Sequence, residues 1–123
     1  MNDANVTSST DTCQKGREGE DEAADYLISH GYSIVSRNYR TKRGEIDCIA
    51  IDPNGTLVFL EVKCARSDAR GNPAFWVTRP KQLKIARLAR QYLAEHGGHR
   101  RSRFDVITIY KGKIDHIRNA FLV

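Results

Sequence analysis

Asp47, Glu61 and Lys63 stand out of place in the stretch GEIDCIAIDPNGTLVFLEVK, residues 44–63, where two apolar runs flank a turn. Alternate residues of a strand share a face, so Glu61 and Lys63 point the same way as Phe59, and Asp47 shares the face of Ile49 and Ile51. A hairpin turning at Pro53–Gly55 brings Asp47 close to Glu61, although the sequence leaves the register open. A carboxylate taken out of water needs a partner, and two side by side repel each other. A hard divalent cation such as Mg²⁺ resolves both problems, because it accepts carboxylates together with phosphate oxygens. An ammonium beside it stabilises charge developing on a phosphate. The competing reading is a solvated, half-exposed face on which Lys63 and Arg43 neutralise the acids.

A third carboxylate favours the first reading. Glu20 lies three, four and seven residues before Ala23, Ala24 and Leu27, so it heads the apolar stripe of a helix. A contact with the helix dipole is the alternative explanation for an acid in that place. Gln82 heads the second helix in the same way, before Ile85, Ala86 and Ala89. It either orients water or phosphate or is a half-exposed polar residue of the first turn.

The elements that must position these groups follow from periodicity. Residues 1–14 are polar and aperiodic and read as a disordered N-terminal tail, leaving 15–123 as a single domain. A helix is expected from Lys15 to His30, stopped by Gly31. Strands are expected at YSIVSRNY, at residues 45–52 and 56–64, at RFDVITIY, and briefly after the KGK turn. Pro80 opens the second helix, which runs to His96. The order α-β-β-β-α-β-(β) fits an α/β domain with helices covering a mixed sheet.

Bulk properties set the remaining bounds. The 123 residues carry a formal net charge of +5. Hydrophobic residues make up 40% and charged residues 28%, which suits one domain with a modest core. No apolar run has the length of a membrane helix and the polar N-terminus has no apolar core, so a cytoplasmic protein is expected. The three cysteines form no CxxC pair, which indicates free thiols rather than zinc or a disulfide framework. Arg40, Lys42 and Arg43 before the second strand, and Arg66 and Arg70 after the third, flank the acids and suit phosphate backbones. A plain solvated basic surface is the other reading. Phe75 and Trp76 either stack on an unpaired base or anchor their loop to the core.

The segments KGREGEDEAADYL, RGEIDCIA, LVFLEVK and VTRPKQLK, closed by RFDVITI and IRNAF, occur in that order. Together they resemble the YraN-like family of small uncharacterised bacterial proteins, which is itself similar to the archaeal Holliday junction resolvases of the PD-(D/E)XK nuclease superfamily. The resemblance covers about residues 15–122. It implies a restriction-endonuclease-like three-layer α-β-α core with a mixed central sheet. It also implies a Mg²⁺- or Mn²⁺-dependent endonuclease acting on DNA, branched or structured forms included, and working as a homodimer with no membrane partner. Carried over, Glu20, Asp47 and Glu61 would hold the metal, Lys63 would be the catalytic lysine, and Gln82 the polar residue of the second core helix. Ile46 stands where the superfamily has proline, and Glu45 adds a carboxylate on the side of Asp47. A non-catalytic nucleic-acid-binding or adaptor module on the same fold is the alternative function.

Overall fold

The computed structural model of the chain describes residues 17–64 and 77–122. The expected tail 1–14 and the loop carrying Arg66, Arg70, Phe75 and Trp76 lie outside the described residues. The elements in order are α1 (Arg17–Ser29), β1 (Ser33–Thr41), β2 (Gly44–Ile51), β3 (Leu57–Cys64), α2 (Arg79–Glu95), β4 (Ser102–Tyr110) and β5 (Lys113–Ile117). They match the order expected from periodicity. The strands form one five-stranded sheet in sequence order. Only β3 and β4 are parallel, and the other neighbours are antiparallel. A parallel neighbour needs a crossover connection, and α2 lies within it.

Each helix covers one face of the sheet. Ala23 and Leu27 of α1 pack with Cys48, Ala50, Val58, Leu60, Val62, Ile107 and Ile109. Ile85, Leu88, Ala89 and Tyr92 of α2 pack with Ile46, Ile49, Leu57, Phe59 and Val106. The alternation along β3, with Val58, Leu60 and Val62 on one side and Leu57 and Phe59 on the other, is the period-2 pattern of a central strand covered twice. The result is the expected three-layer α-β-α arrangement.

Local chemistry closes the helices. At the end of α1 the Gly31 N–H donates to Ile28 O at 3.1 Å and the Tyr32 N–H to Leu27 O at 2.9 Å. Gly31 takes φ +88°, which allows this paired-bond stop, and Leu27 and Tyr32 pack together in the core below it. For α2, the Thr78 hydroxyl accepts from the Lys81 N–H, and Pro80 sits in the first turn.

A buried ionic cluster ties β4 to the start of β1, the β2–β3 turn and β5. Asp105 has 0% exposure. It accepts two hydrogen bonds from Arg103 Nε, at 3.0 and 3.2 Å. The Asn119 N–H donates to it at 3.0 Å, and its Oδ2 lies 2.8 Å from His116 Nε2. Arg103 also donates to Asp52 at 2.6 Å and to the Tyr32 hydroxyl at 2.9 Å. Asp52 in turn accepts the N–H groups of Asn54 and Thr56, which shapes the β2–β3 turn. Burial pushes the Asp105 carboxyl up, but the bonds from His116, Arg103 and Asn119 outweigh it and hold the group below the usual carboxylate range.

Removing Arg103 leaves two buried carboxylates without their cation. Arg103→Met is expected to cost about 3–5 kcal/mol in urea unfolding at neutral pH. Because the folded value for Asp105 is depressed, its contribution is present above about pH 4 and is lost as pH falls through the lower folded value. The wild-type chain should therefore lose stability more steeply than the variant on acidification, as read by urea midpoints across pH. A variant that unfolds at the wild-type midpoint would show that the cluster contributes nothing.

Candidate active site

The site begins where the sheet divides. β2 and β3 pair from Ile51↔Leu57 up to Cys48↔Leu60. Continued one step, this register sets Asp47 opposite Glu61, but there the ladder stops. The Asp47 carboxylate instead accepts the Val62 N–H at 2.8 Å. A side chain thus satisfies a backbone donor that the neighbouring strand would otherwise serve. Ile46 also leaves the strict alternation, packing on the α2 side although Cys48 packs under α1.

The divergence lets groups from both helices reach one cavity of about 300 Å³. Its wall comprises Gly19 and Glu20 of α1, Glu45 and Asp47 of β2, Glu61, Val62 and Cys64 of β3, and Lys81 of α2. One carboxylate oxygen from each of Glu20, Glu45 and Asp47 lies within 4.8 Å of the other two. Such a set of hard oxygen donors fits Mg²⁺ or Mn²⁺, and nothing soft enough to prefer zinc or copper joins that cluster.

The electrostatics of the wall follow from burial and crowding. Glu61 is 5% exposed. Burial and the charge of Asp47 push its carboxyl above the usual range, against the pull of Lys81 and Lys63. Burial also raises Glu20, and so do Asp47 and Glu45, while a hydrogen bond with the Asn38 side chain pulls it down. Asn38 lies in β1 at φ +58°, a left-handed conformation that Asn tolerates better than most residues. Glu45 is paired with Arg40, whose Nε and NH2 approach its Oε1 at 2.9 and 2.8 Å. Burial raises the Cys48 thiol to about 12, so that group is not a nucleophile at neutral pH.

The expected site residues divide into several groups. Glu20, Asp47 and Glu61 come together in the cavity. Lys63 Nζ stands 3.9 Å from Glu61 Oε2 but is not part of the cavity wall. Gln82 is not brought to the cavity: buried beneath α2, it donates to Val77 O at 2.9 Å and accepts from Arg79 at 3.0 Å. Its fixed bonds make it a clasp for the start of α2. Arg40 pairs with Glu45, while Lys42 and Arg43 line a separate groove. Cys64 departs from the expectation of free thiols, being disulfide-bonded.

Lys81 is the residue that sequence reasoning passed over. Its Nζ lies 3.3 Å from Glu61 Oε2, closer than Lys63, and it faces the cavity. The signal was present, because Lys81 precedes the buried Ile85, Leu88 and Tyr92 by four, seven and eleven residues. Gln82 heads the adjoining stripe equally well, and periodicity alone does not choose between neighbours.

Residues 19–109 match the model of a family described as "Uncharacterised protein family UPF0102". A UPF0102 protein of Desulfosudis oleivorans is 47% identical over 111 residues, covering 88% of this chain and 89% of that one. A second, from Thermodesulfovibrio yellowstonii, is 47% identical over 106 residues, covering 86% and 94%. Among solved structures, a repair endonuclease from Pyrococcus abyssi is similar with a TM-score of 0.42 and 20% identity. That likeness covers 79% of this chain and 40% of the other.

Crowded carboxylates with raised proton affinity cost folding free energy at neutral pH. For Glu20 the folded value lies above the unfolded one, so the favourable contribution is complete below the unfolded range and is lost as pH rises through the folded value. Glu20→Gln should therefore melt above wild type at pH 7.5 without divalent ions. The difference should vanish below about pH 4, where the wild-type carboxyl is protonated in both states. An unchanged or lower melting temperature at pH 7.5 would contradict the crowding.

Proposed function

We propose that the chain, which belongs to the uncharacterised protein family UPF0102, is a metal-dependent nuclease hydrolysing phosphodiester bonds of DNA. The observation that supports this most directly is the gathering of Glu20, Glu45, Asp47 and Glu61 with Lys81 around one cavity. A structural ion pair has no need of four carboxylates facing a common space.

Asp47 and Glu20 would hold the cation with Glu61 from across the cavity, and Glu45, whose carboxylate already lies within 4.8 Å of those of Asp47 and Glu20, would join once Arg40 turns aside. A bound divalent cation supplies Lewis acidity to the phosphate and lowers the cost of generating a nucleophile from water. The chain's own groups do the rest. Asp47 is fixed by the Val62 N–H, so its orientation is set before any ligand arrives. Lys81 and Lys63 both stand at Glu61 and carry positive charge toward a bound phosphate, where it offsets the charge that develops during attack. Asn38 bonds the Glu20 side chain and limits its rotation.

The pairing of Glu61 with two lysines favours a second reading, in which the acids are neutralised internally and the domain only binds nucleic acid. The two readings separate in a paired experiment. Titration calorimetry with Mn²⁺ should show binding to wild type and none to Asp47→Asn. Wild type should cut linear or four-way-junction DNA in Mg²⁺, while Asp47→Asn, Glu61→Gln and Lys81→Ala each fall by roughly 100-fold or more. Lys63→Ala tests whether the second amine is needed as well. Equal cutting by wild type and the acid variants would assign the activity to a contaminant. Salt-sensitive DNA binding without a Mn²⁺ signal or cleavage would establish the adaptor instead.

A further inference from the structure

A second concave surface lies beside the acidic cavity and has the opposite character. Thr41, Lys42 and Arg43 of the β1–β2 turn face Arg87 and Gln91 of α2 across a groove of about 470 Å³. Three of these five side chains are cationic, two are neutral hydrogen-bonding groups, and none is acidic. Among the described residues, Lys42, Arg43, Lys84 and Arg87 make no ion pair. This distinguishes them from Arg40, Lys81 and Arg103, whose charges are met inside the molecule.

The turn is held against the helix by a close approach. A Cβ on Gly44 would meet Lys84 Cδ at 3.2 Å and Leu88 Cδ1 at 3.5 Å. The aliphatic stem of Lys84 therefore lies along the backbone at Gly44, one residue from the groove-lining Arg43. Lys81, Lys84, Arg87 and Gln91 share one side of α2, and Lys81 to Arg87 spans about 9 Å along the axis. The cationic row thus begins at the acidic cavity and ends at the groove. Beyond Gln91 the sign changes. Glu95 accepts from Gln91 at 3.3 Å and from the Tyr39 hydroxyl at 3.1 Å, placing an acid at the far end. A polyanion in the groove is repelled at that end and extends toward Lys84 and Lys81.

We propose that this groove is a track for the phosphate backbone of duplex DNA, with Lys84 and Arg87 of α2 acting together with Lys42 and Arg43 of the turn. The inference rests on the nuclease reading and adds to it a direction: the strand enters over the β1–β2 turn and runs along α2 to the cavity. Contacts of this kind hold the backbone and read no sequence.

The test is fluorescence anisotropy of labelled duplex DNA with the full chain in EDTA, across a salt series, so that cleavage plays no part. Lys84→Ala/Arg87→Ala should weaken binding about tenfold and flatten the slope of log K against log salt by about 1.8, the value for two lost phosphate contacts. Arg100→Ala/Arg101→Ala, which removes the same charge beside the β2–β3 turn, should change neither quantity. Both double variants keep the fold, since all four side chains are exposed. An unchanged slope for the α2 variant, or equal losses in both variants, overturns the track. So does displacement of the DNA by polyglutamate at equal charge concentration. The two proposals fail separately. A groove variant that weakens binding of a DNA the chain never cuts leaves the track standing and removes the nuclease. Cleavage abolished by Asp47→Asn but untouched, with full affinity, by the groove variant does the reverse.

Discussion

The bond from the Val62 N–H to the Asp47 carboxylate is the constraint on which the site depends. In a continuous hairpin, Asp47 and Glu61 would occupy opposed positions on one covered face, and α2 would have to close over two like charges. Ending the ladder at Cys48↔Leu60 avoids that. The orphaned backbone donor takes a side-chain acceptor, the strands separate, and the space between them admits Glu20 from one helix and Lys81 from the other. Asp47 therefore has two roles, of which a neutral residue of the same shape fills only the first. It completes the hydrogen bonding of β3 and contributes charge to the cavity.

Two groups of buried or half-buried acids in this small domain behave in opposite ways. Asp105 and Asp52 are surrounded by donors, and their carboxyls sit below the usual range despite burial. Glu61 and Glu20 face other acids, and theirs sit above it. Burial acts alike on both groups, so the balance of partners decides the sign. The first group is satisfied and knits β4, β5 and the β2–β3 turn together. The second is crowded by like charge that Lys81, Lys63 and Asn38 offset only in part.

Helix α2 connects the parts. Its inner stripe of Ile85, Leu88 and Tyr92 supplies the core on one face of the sheet. Its first turn, fixed by Thr78 and by the Gln82 bond to Val77, carries Lys81 to Glu61. Farther along, it presents Arg87 beside the β1–β2 turn, a cation with no ion pair among the described residues. One rigid element thus sets the separation between the acidic cavity and the basic groove.

The sequence by itself determined the element order and the covered faces, and it singled out Glu20, Asp47 and Glu61 as acids out of place. Those are properties of local spacing: the 2-residue period of β3, the helical spacing that put Glu20 ahead of Ala23 and Leu27, the stop at Gly31. Whether the acids meet was a question of register and of where two helices lie, and only the tertiary structure decided it. The same holds for Lys81, which joins Lys63 beside Glu61, because a helix turn brings its side chain across the gap between the two elements. Gln82, one residue and a rotation of about 100° away, bonds Val77 and Arg79 at the start of α2. The Arg103–Asp105–His116 cluster was not legible either, since its members are scattered over the chain and joined only by the fold. Periodicity reports which side of an element is buried; it carries no information on which buried groups share a partner.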